Sequence, residues 1–136
     1  GEIDCQRHIY NKHITTGVEE NFLISNTVWL YLKYVNLFRE FNIGVMAAPP
    51  QGTVGNIFEY EEYTTREHRQ EISNMFNWWL EVGCEENEIP FIDIWEPGWE
   101  VVSLWPEEDY EKDQAHIKTE IASKYLEDYL QKEEVL

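Results

Sequence analysis

The chain has 136 residues, of which 43% are hydrophobic and 15% aromatic, enough apolar material for the core of one domain that spans residues 1–136. Its 27 acidic and 10 basic residues give a net charge of −17. This charge argues against a nucleic-acid partner, because affinity for phosphate backbones depends on Lys and Arg. No apolar run has the length of a membrane span, and no signal-peptide pattern is visible.

The two cysteines, Cys5 and Cys84, lie far apart in the sequence. They could form a disulfide, but two cysteines do not make the framework of a small secreted domain. We therefore expect buried free thiols in a reducing compartment, which favours the cytoplasm. The chain starts at Gly1 without a Met, on residues typical of the end of a core strand, and this indicates a processed or truncated chain.

The first half of the chain predicts a strand, a helix and a second strand. Gly1–Ile9 has the composition of a strand end that runs into a loop, and Ile43–Ala48 is a short apolar run that stops at Pro49, as a buried parallel strand would. Between them, Val18–Phe41 predicts a helix, since apolar residues recur at three- and four-residue steps. The predicted inner face of this helix consists of Phe22, Val28, Trp29, Leu32, Val35 and Phe38.

The middle of the chain predicts a long loop and a second helix. The loop from Pro49 to Tyr63 is longer than a plain connection requires, and such loops often border a site. Thr64 and Glu67 have the spacing of a capping box, so a helix is predicted from there to Cys84. Its predicted inner face consists of Ile72, Met75, Phe76, Trp79 and Leu80.

The last third predicts one more strand and one more helix. Ile89–Trp95 has the pattern of a strand, and Ile117–Lys132 that of an amphipathic helix. The residues expected on the inner face of that helix are Ile117, Ile121, Tyr125 and Leu130. Strands that alternate with long helices favour a parallel α/β sheet with flanking helices.

Asp113 and His116 are the strongest candidates for chemistry. They precede the final predicted helix, where loops at the carboxyl edge of an open α/β sheet carry sites. There an Asp can orient an imidazole and stabilise its cation, while the His acts as a general base toward a hydroxyl nucleophile. The alternative is an acidic residue near a helix start followed by a surface histidine.

Taken in order, several blocks of the chain resemble the SGNH (GDSL-type) hydrolase superfamily, in the branch whose third block reads G-E-I-D-C-R. The blocks are Gly1–His8, Ala47–Gly52, Pro90–Ile94, and Asp113 with His116. The resemblance covers most of the chain. It implies a flavodoxin-like, SGNH-type parallel sheet with flanking helices, whose N-terminal strand or strands are missing from this chain.

The same resemblance implies an ester hydrolase that cleaves O-acyl or O-acetyl groups by Ser-His-Asp chemistry, without a metal or an organic cofactor. His116 would be the general base and Asp113 its orienting carboxylate. The substrate would be a small-molecule or glycan ester. The oxyanion and substrate side would be lined by Gly1, Ile3, Asp4, Arg7 and Pro50.

The chain departs from the family pattern at the third block and at the nucleophile. Ile3 stands where the common block has an Asn, so that side-chain donor is missing, and Gln6 stands where the branch has its Arg, with Arg7 next. No G-D-S sequence occurs, and the serines lie in predicted helices or a late loop: Ser25, Ser73, Ser103 and Ser123. We therefore expect the C-terminal portion of an SGNH-type domain, with the Ser supplied from outside this chain.

Other interpretations of these residues stay open. The chain could be a catalytically inactive SGNH-like binding or structural module. His68 is expected at the surface, and Asp93 either points to the site edge or is satisfied by backbone amides. A metal site is a further possibility, although its four residues match no standard zinc spacing: Asp4, Cys5, His8 and His13.

A sheet without its first strand exposes one edge. We expect a partner chain, self-association along that edge or a rearranged terminus to complete the sheet.

Overall fold

The structure, a computed structural model, describes residues 4–52, 64–95, 107–111 and 116–133. Within these ranges lie four α-helices and two short strands: α1 (Ile9–Thr16), α2 (Glu20–Asn36), β1 (Val45–Met46), α3 (Arg66–Glu86), β2 (Phe91–Ile92) and α4 (Thr119–Lys132). A π-helical turn, Asp4–His8, leads into α1, and a 3-10 turn occupies Glu107–Asp109. None of the described helices combines the length and the apolar character that crossing a bilayer requires.

The two strands pair in parallel, with Val45 opposite Phe91 and Met46 opposite Ile92. Parallel strands joined through a long helix confirm the predicted α/β class at this coarse level. Both strands are shorter than predicted. Pro90 contributes to this at the start of β2, because it has no N–H to donate to a ladder.

Two clusters of buried side chains hold the helices on the sheet. The larger cluster joins α1, α2 and α3 to β1, and it includes Leu32, Val45 and Phe76. The second cluster consists of Ala47, Ile94 and Trp95, with α4 packed against it. Full burial of one such large apolar side chain contributes about 1.5–3 kcal/mol. The helices therefore pack in two groups, with α4 separate from the others.

The predicted strand end at Gly1–Ile9 is wrong for the part that the structure describes. Asp4–His8 forms the π-helical turn, and α1 begins at Ile9. Cys5 and Ile9 lie one helical turn apart, so helical geometry brings both into the larger cluster. The segment carries no glycine or proline between them to stop a helix.

Helix α1 ends at a glycine in the left-handed conformation. Gly17 has φ 73°, and its N–H donates to the His13 carbonyl at 2.9 Å. Glycine adopts this conformation without the steric cost that a Cβ imposes, which makes it the usual residue after a helix end. The turn brings α2 back against α1.

Helix α2 confirms the helix predicted at Val18–Phe41, although it is shorter at both ends. After Asn36 the backbone bonds join residues three apart, as in a 3-10 turn, and this tightening ends the α-helix. The residues of α2 that are buried are Leu23, Ile24, Val28 and Leu32. Three residues of the predicted inner face, Phe22, Trp29 and Phe38, are instead 61%, 61% and 52% exposed.

Helix α3 confirms the second predicted helix, and Ile72, Phe76 and Leu80 are buried as expected. Its N-cap is Thr65 rather than Thr64. The Thr65 hydroxyl accepts from the His68 N–H at 3.2 Å, which satisfies one backbone donor of the first turn.

Both cysteines are free and buried, as predicted. Burial raises the pKa of the Cys84 thiol from its ordinary value of 9.0 to about 11. A thiol that stays protonated at neutral pH acts as a small apolar side chain.

Candidate functional site

The candidate site lies where the chain leaves the two parallel strands. Their carboxyl ends meet at one edge of the sheet, and Ala47–Gly52 follows β1 there while Asp93–Trp95 follows β2. We call Ala47–Gly52 the edge segment. In open α/β sheets, ligands bind beside this edge. The contacts of the edge segment therefore determine which of its backbone and side-chain groups can face a ligand.

Asn77 of α3 fixes the first half of the edge segment. Its Oδ1 accepts from the Ala48 N–H at 2.7 Å, and its Nδ2 donates to the Ala48 carbonyl at 3.0 Å. Asn77 is only 4% exposed, so these bonds form in a low-dielectric interior, where an unpaired amide would be costly. Trp95 adds a third bond, from its Nε1 to the Ala47 carbonyl at 3.1 Å.

Gln51 anchors the second half through both its backbone and its side chain. Its N–H donates to the Gln70 Oε1 at 2.7 Å, and its Nε2 donates to the Ser73 Oγ at 2.9 Å. Its carbonyl accepts from the Arg66 Nε at 2.8 Å. Since Gln51 is 1% exposed, this polar cluster is part of the interior of the protein.

Arg69 binds Gly52, the last residue of the edge segment. Its guanidinium is fully buried, and it donates to the Gly52 carbonyl at 2.6 Å and to the Thr64 carbonyl. The first half of α3 thus holds the edge segment with five polar side chains: Arg66, Arg69, Gln70, Ser73 and Asn77. A segment held at so many points is a rigid wall for a site.

His116, the predicted general base, is exposed and lies on a short antiparallel ladder. Tyr110 and Ile117 form a β-bridge, and the Glu111 N–H donates to the His116 carbonyl at 2.7 Å. The Lys118 N–H donates to the Asp109 carbonyl at 2.9 Å. The backbone of His116 is therefore fixed, while its ring lies at the surface.

Tyr110 joins this ladder to the edge segment. The side chain is 2% exposed, and its hydroxyl donates to the Pro50 carbonyl at 3.2 Å. The Arg66 guanidinium lies over its ring, 5.5 Å from the centroid. Of the predicted site residues, the structure thus brings Pro50 and the ladder of His116 to the same edge of the sheet.

The other predicted site residues divide into two groups. Gly1, Ile3 and Asp113 lie outside the described residues. Asp4 and Arg7 lie on the π-helical turn, which packs against α1 and α3. The described hydrogen bond of Asp4 joins its Oδ1 to the His8 Nδ1 at 3.4 Å.

A hydroxyl–imidazole–carboxylate group that the sequence did not predict lies at the N-termini of α2 and α3. The His68 Nε2 is 2.8 Å from the Glu20 Oε1, and the His68 Nδ1 is 2.9 Å from the Thr64 Oγ1. With an ionised Glu20 accepting from Nε2–H, the unprotonated Nδ1 accepts from the Thr64 hydroxyl. The same order of groups polarises a nucleophilic hydroxyl in acyl transfer.

The predicted surface position of His68 is thus only partly correct. Its side chain is 31% exposed, and the Tyr10 ring meets its edge at a centroid distance of 5.6 Å. The four-residue spacing of Thr64 and His68, at the start of the predicted helix, was the available signal. Nothing in the sequence indicated that Glu20, 48 residues away, would contact His68.

Asp93 lines a cavity of about 740 Å³ between β2 and α4. The Tyr129 hydroxyl donates to the Phe91 carbonyl at 3.4 Å in the same region. Burial raises the pKa of Tyr129 above its ordinary value, and the carboxylates of Glu133 and Asp93 raise it further. The cavity combines apolar walls with acidic side chains.

Over the described ranges, no three His, Cys, Asp or Glu side chains come together as metal ligands. Of the residues considered for zinc, Cys5 is buried in the larger cluster, and the His13 Nδ1 donates to the Val18 carbonyl at 2.7 Å. The Cys5 side chain therefore packs in the core, and the His13 ring is already hydrogen-bonded to the backbone.

Comparison of the chain with protein-family models, with curated proteins and with solved structures found no match.

Proposed function

We propose that the chain is part of an SGNH-type ester hydrolase with a flavodoxin-like sheet, in which His116 is the general base and Asp113 orients it. The Ser comes from outside this chain, on polypeptide that completes the sheet. The substrate is a small-molecule or glycan ester, and neither a metal nor an organic cofactor takes part. Gly1, Ile3, Asp4, Arg7 and Pro50 border the oxyanion and substrate side.

One observation carries the proposal. The ladder that bears His116 packs through Tyr110 on Pro50, at the carboxyl edge of the parallel strands. An exposed imidazole at this edge, directly before the last helix, has the position that a general base of an open α/β sheet requires. The edge segment beside it is rigid, and rigid walls position a substrate well.

The chemistry follows from these roles. His116 removes the proton of the Ser hydroxyl while its oxygen attacks the ester carbonyl, and donors on the opposite side stabilise the oxyanion. The imidazolium then protonates the departing alcohol, which leaves an acyl-serine. A water molecule, deprotonated by the same His116, releases the carboxylic acid and restores the Ser.

The test is hydrolysis of a short-chain nitrophenyl ester by the chain, by its His116→Ala variant and by a His13→Ala control. Each is assayed alone and with the segment that the proposal places upstream of Gly1. With that segment, we expect His116→Ala to lower kcat/KM by about 10²–10⁴-fold, the usual contribution of a general base. The control should stay within about twofold of the parent.

Two outcomes would contradict the proposal. If His116→Ala retains full activity, the base lies elsewhere. If no form hydrolyses the ester, the chain fits a catalytically inactive SGNH-like module instead.

If the chain hydrolyses the ester without the upstream segment, one more variant is needed to identify the nucleophile. Thr64 is a hydroxyl that already has an imidazole and a carboxylate aligned behind it. Loss of activity in Thr64→Val, with His116→Ala unaffected, would move the site to the N-termini of α2 and α3.

A further inference from the structure

The outer side of α2 carries an apolar surface that none of the contacts above uses. We define the α2 patch as six side chains that are between 44% and 70% exposed: Phe22, Trp29, Leu30, Tyr31, Tyr34 and Leu37. Phe38 and Phe41, in the turn after α2, are also more than half exposed. This concentration of exposed rings is unusual for a helix on the outside of a protein.

Helix α2 is apolar on two opposite sides. Ile24, Val28 and Leu32 form its buried stripe. Leu30, Tyr34 and the C-cap residue Leu37 have i, i+4, i+7 spacing on a stripe about 150° away around the helix, by helical geometry of 3.6 residues per turn. Helices that are apolar on all sides are normally buried on all sides. The outer stripe therefore indicates a second packing surface.

The α2 patch is large enough for a stable interface. A large aromatic or aliphatic side chain offers roughly 150–250 Å², so the exposed fractions of the five patch residues other than Tyr31, which lies further around the helix, amount to about 600 Å². The largest apolar patch on an ordinary monomer is about 300–600 Å². Each partner in a standard protein interface contributes about 800 Å².

The charge of the region favours a second copy of the chain as the occupant. Between Glu20 and Phe41 lie two acidic and two basic residues, so this segment is neutral while the whole chain carries −17. Two such acidic molecules repel each other least when they meet through their neutral segments. A cationic partner would instead be drawn to the acidic surfaces elsewhere.

We propose that the α2 patch is the interface of a homodimer, in which α2 of one copy packs against α2 of the other across a two-fold axis. Such an axis places the same patch on both sides, which is the commonest form of self-association. A groove of about 530 Å³ between α2 and α3 adjoins the patch and is lined by Phe22, Trp29, Leu32 and Trp79. It receives a ring of the second copy.

This interface is separate from the sheet edge, and it does not depend on the proposed hydrolase activity. The test is the mass in solution, measured by light scattering and sedimentation equilibrium from about 1 to 100 μM, a range that spans typical dissociation constants of reversible dimers. The parent should have twice the chain mass of 16.3 kDa.

The deciding variant is Tyr34→Glu, at a side chain that is 68% exposed in the patch. The two-fold axis brings two new charges into an apolar interface, so the dissociation constant should rise at least about tenfold. Ile14→Glu is the matched control, because Ile14 is 47% exposed on α1, outside the patch. It should leave the dimer unchanged, and circular dichroism checks that both variants fold.

Salt provides an independent readout. Raising NaCl from about 0.05 to 0.5 M screens the repulsion between the two acidic copies, so the dimer should tighten. A monomer at every concentration overturns the proposal and leaves the patch to a different polypeptide. The proposal is also overturned if the dissociation constant of the dimer does not change in Tyr34→Glu, or if it rises with salt.

Discussion

Asn77 shows how one side chain satisfies the backbone beyond a strand end. Its amide takes both backbone groups of Ala48, two residues after β1 ends at Met46. The predicted strand at Ile43–Ala48 is observed as β1, Val45–Met46, and the Ala47 N–H still donates to the Ile92 carbonyl at 3.0 Å. Asn77 lies 29 residues further along the chain, so no local pattern around Ala48 reveals this contact.

Tyr110 is the residue that ties the ladder of His116 to the edge segment, and Tyr110→Phe tests that role. The variant removes the hydroxyl that donates to the Pro50 carbonyl but keeps the ring beside Arg66. We expect the free energy of unfolding to fall by about 0.5–1.5 kcal/mol, the net value of one hydrogen bond. Urea unfolding followed by tryptophan fluorescence measures it.

The matched control for that variant is Tyr34→Phe, at a tyrosine that is 68% exposed. Measured on protein dilute enough that the proposed dimer is dissociated, its free energy of unfolding should change by less than about 0.5 kcal/mol, as usual for surface substitutions. Equal effects of the two variants would show that the bond to Pro50 adds nothing to stability.

At the scale of the elements, the packing of α2 on α3 depends on a glycine. A Cβ at Gly83 would overlap the Leu32 Cδ1, so the two helices approach closely because this position has no side chain. Glycine inside a helix costs roughly 0.5–1 kcal/mol relative to alanine. Its presence in the last turn of α3 is explained by the close approach.

The pair Gly83→Ala and Leu32→Ala tests this packing as a double-mutant cycle. Leu32→Ala alone should lower the free energy of unfolding by about 2–5 kcal/mol, since it leaves a cavity in the core. In the Gly83→Ala background the same change should cost at least about 0.5 kcal/mol less, because the new methyl group fills part of that cavity. Additive costs, measured by urea unfolding, would mean that the two side chains do not meet.

At the scale of the whole molecule, the buried thiols report on the opening of the core. Cys84 is fully buried, and its raised pKa leaves about 100-fold less thiolate at pH 8 than an ordinary thiol would have. We expect iodoacetamide to alkylate the native protein at least about 100-fold more slowly than the urea-unfolded chain. Mass spectrometry of the alkylated protein measures both rates. Rapid alkylation of Cys84 in the native protein would contradict its burial.

The same pKa predicts how stability depends on pH. Between pH 9 and 11 the unfolded chain loses the Cys84 proton while the folded protein keeps it. The folded state therefore binds more protons, and the free energy of unfolding falls as pH rises through this window; below pH 9 this contribution is constant. The decline should be smaller in Cys84→Ala than in the parent, and equal declines would assign it to other groups.

The sequence by itself determined the α/β class and the order of the elements from α2 onward. The helices α2 and α4 and the strands β1 and β2 lie within predicted segments, and α3 extends two residues past its predicted end at Cys84. Apolar periodicity and breakers such as Pro49 gave these predictions because they act on the local backbone. The free state of both cysteines also agrees with the prediction, which was made because two cysteines do not make the framework of a small secreted domain. The roles of Asp113 and His116 stay a prediction.

Only the tertiary structure decided which apolar residues are covered. Periodicity along α2 could not separate its core stripe from the exposed Phe22 and Trp29, since both sides of the helix are apolar. The bonds from His68 to Glu20 and from Tyr110 to Pro50 span 48 and 60 residues. Such contacts form only when packing closes long loops, so they leave no trace in local sequence patterns.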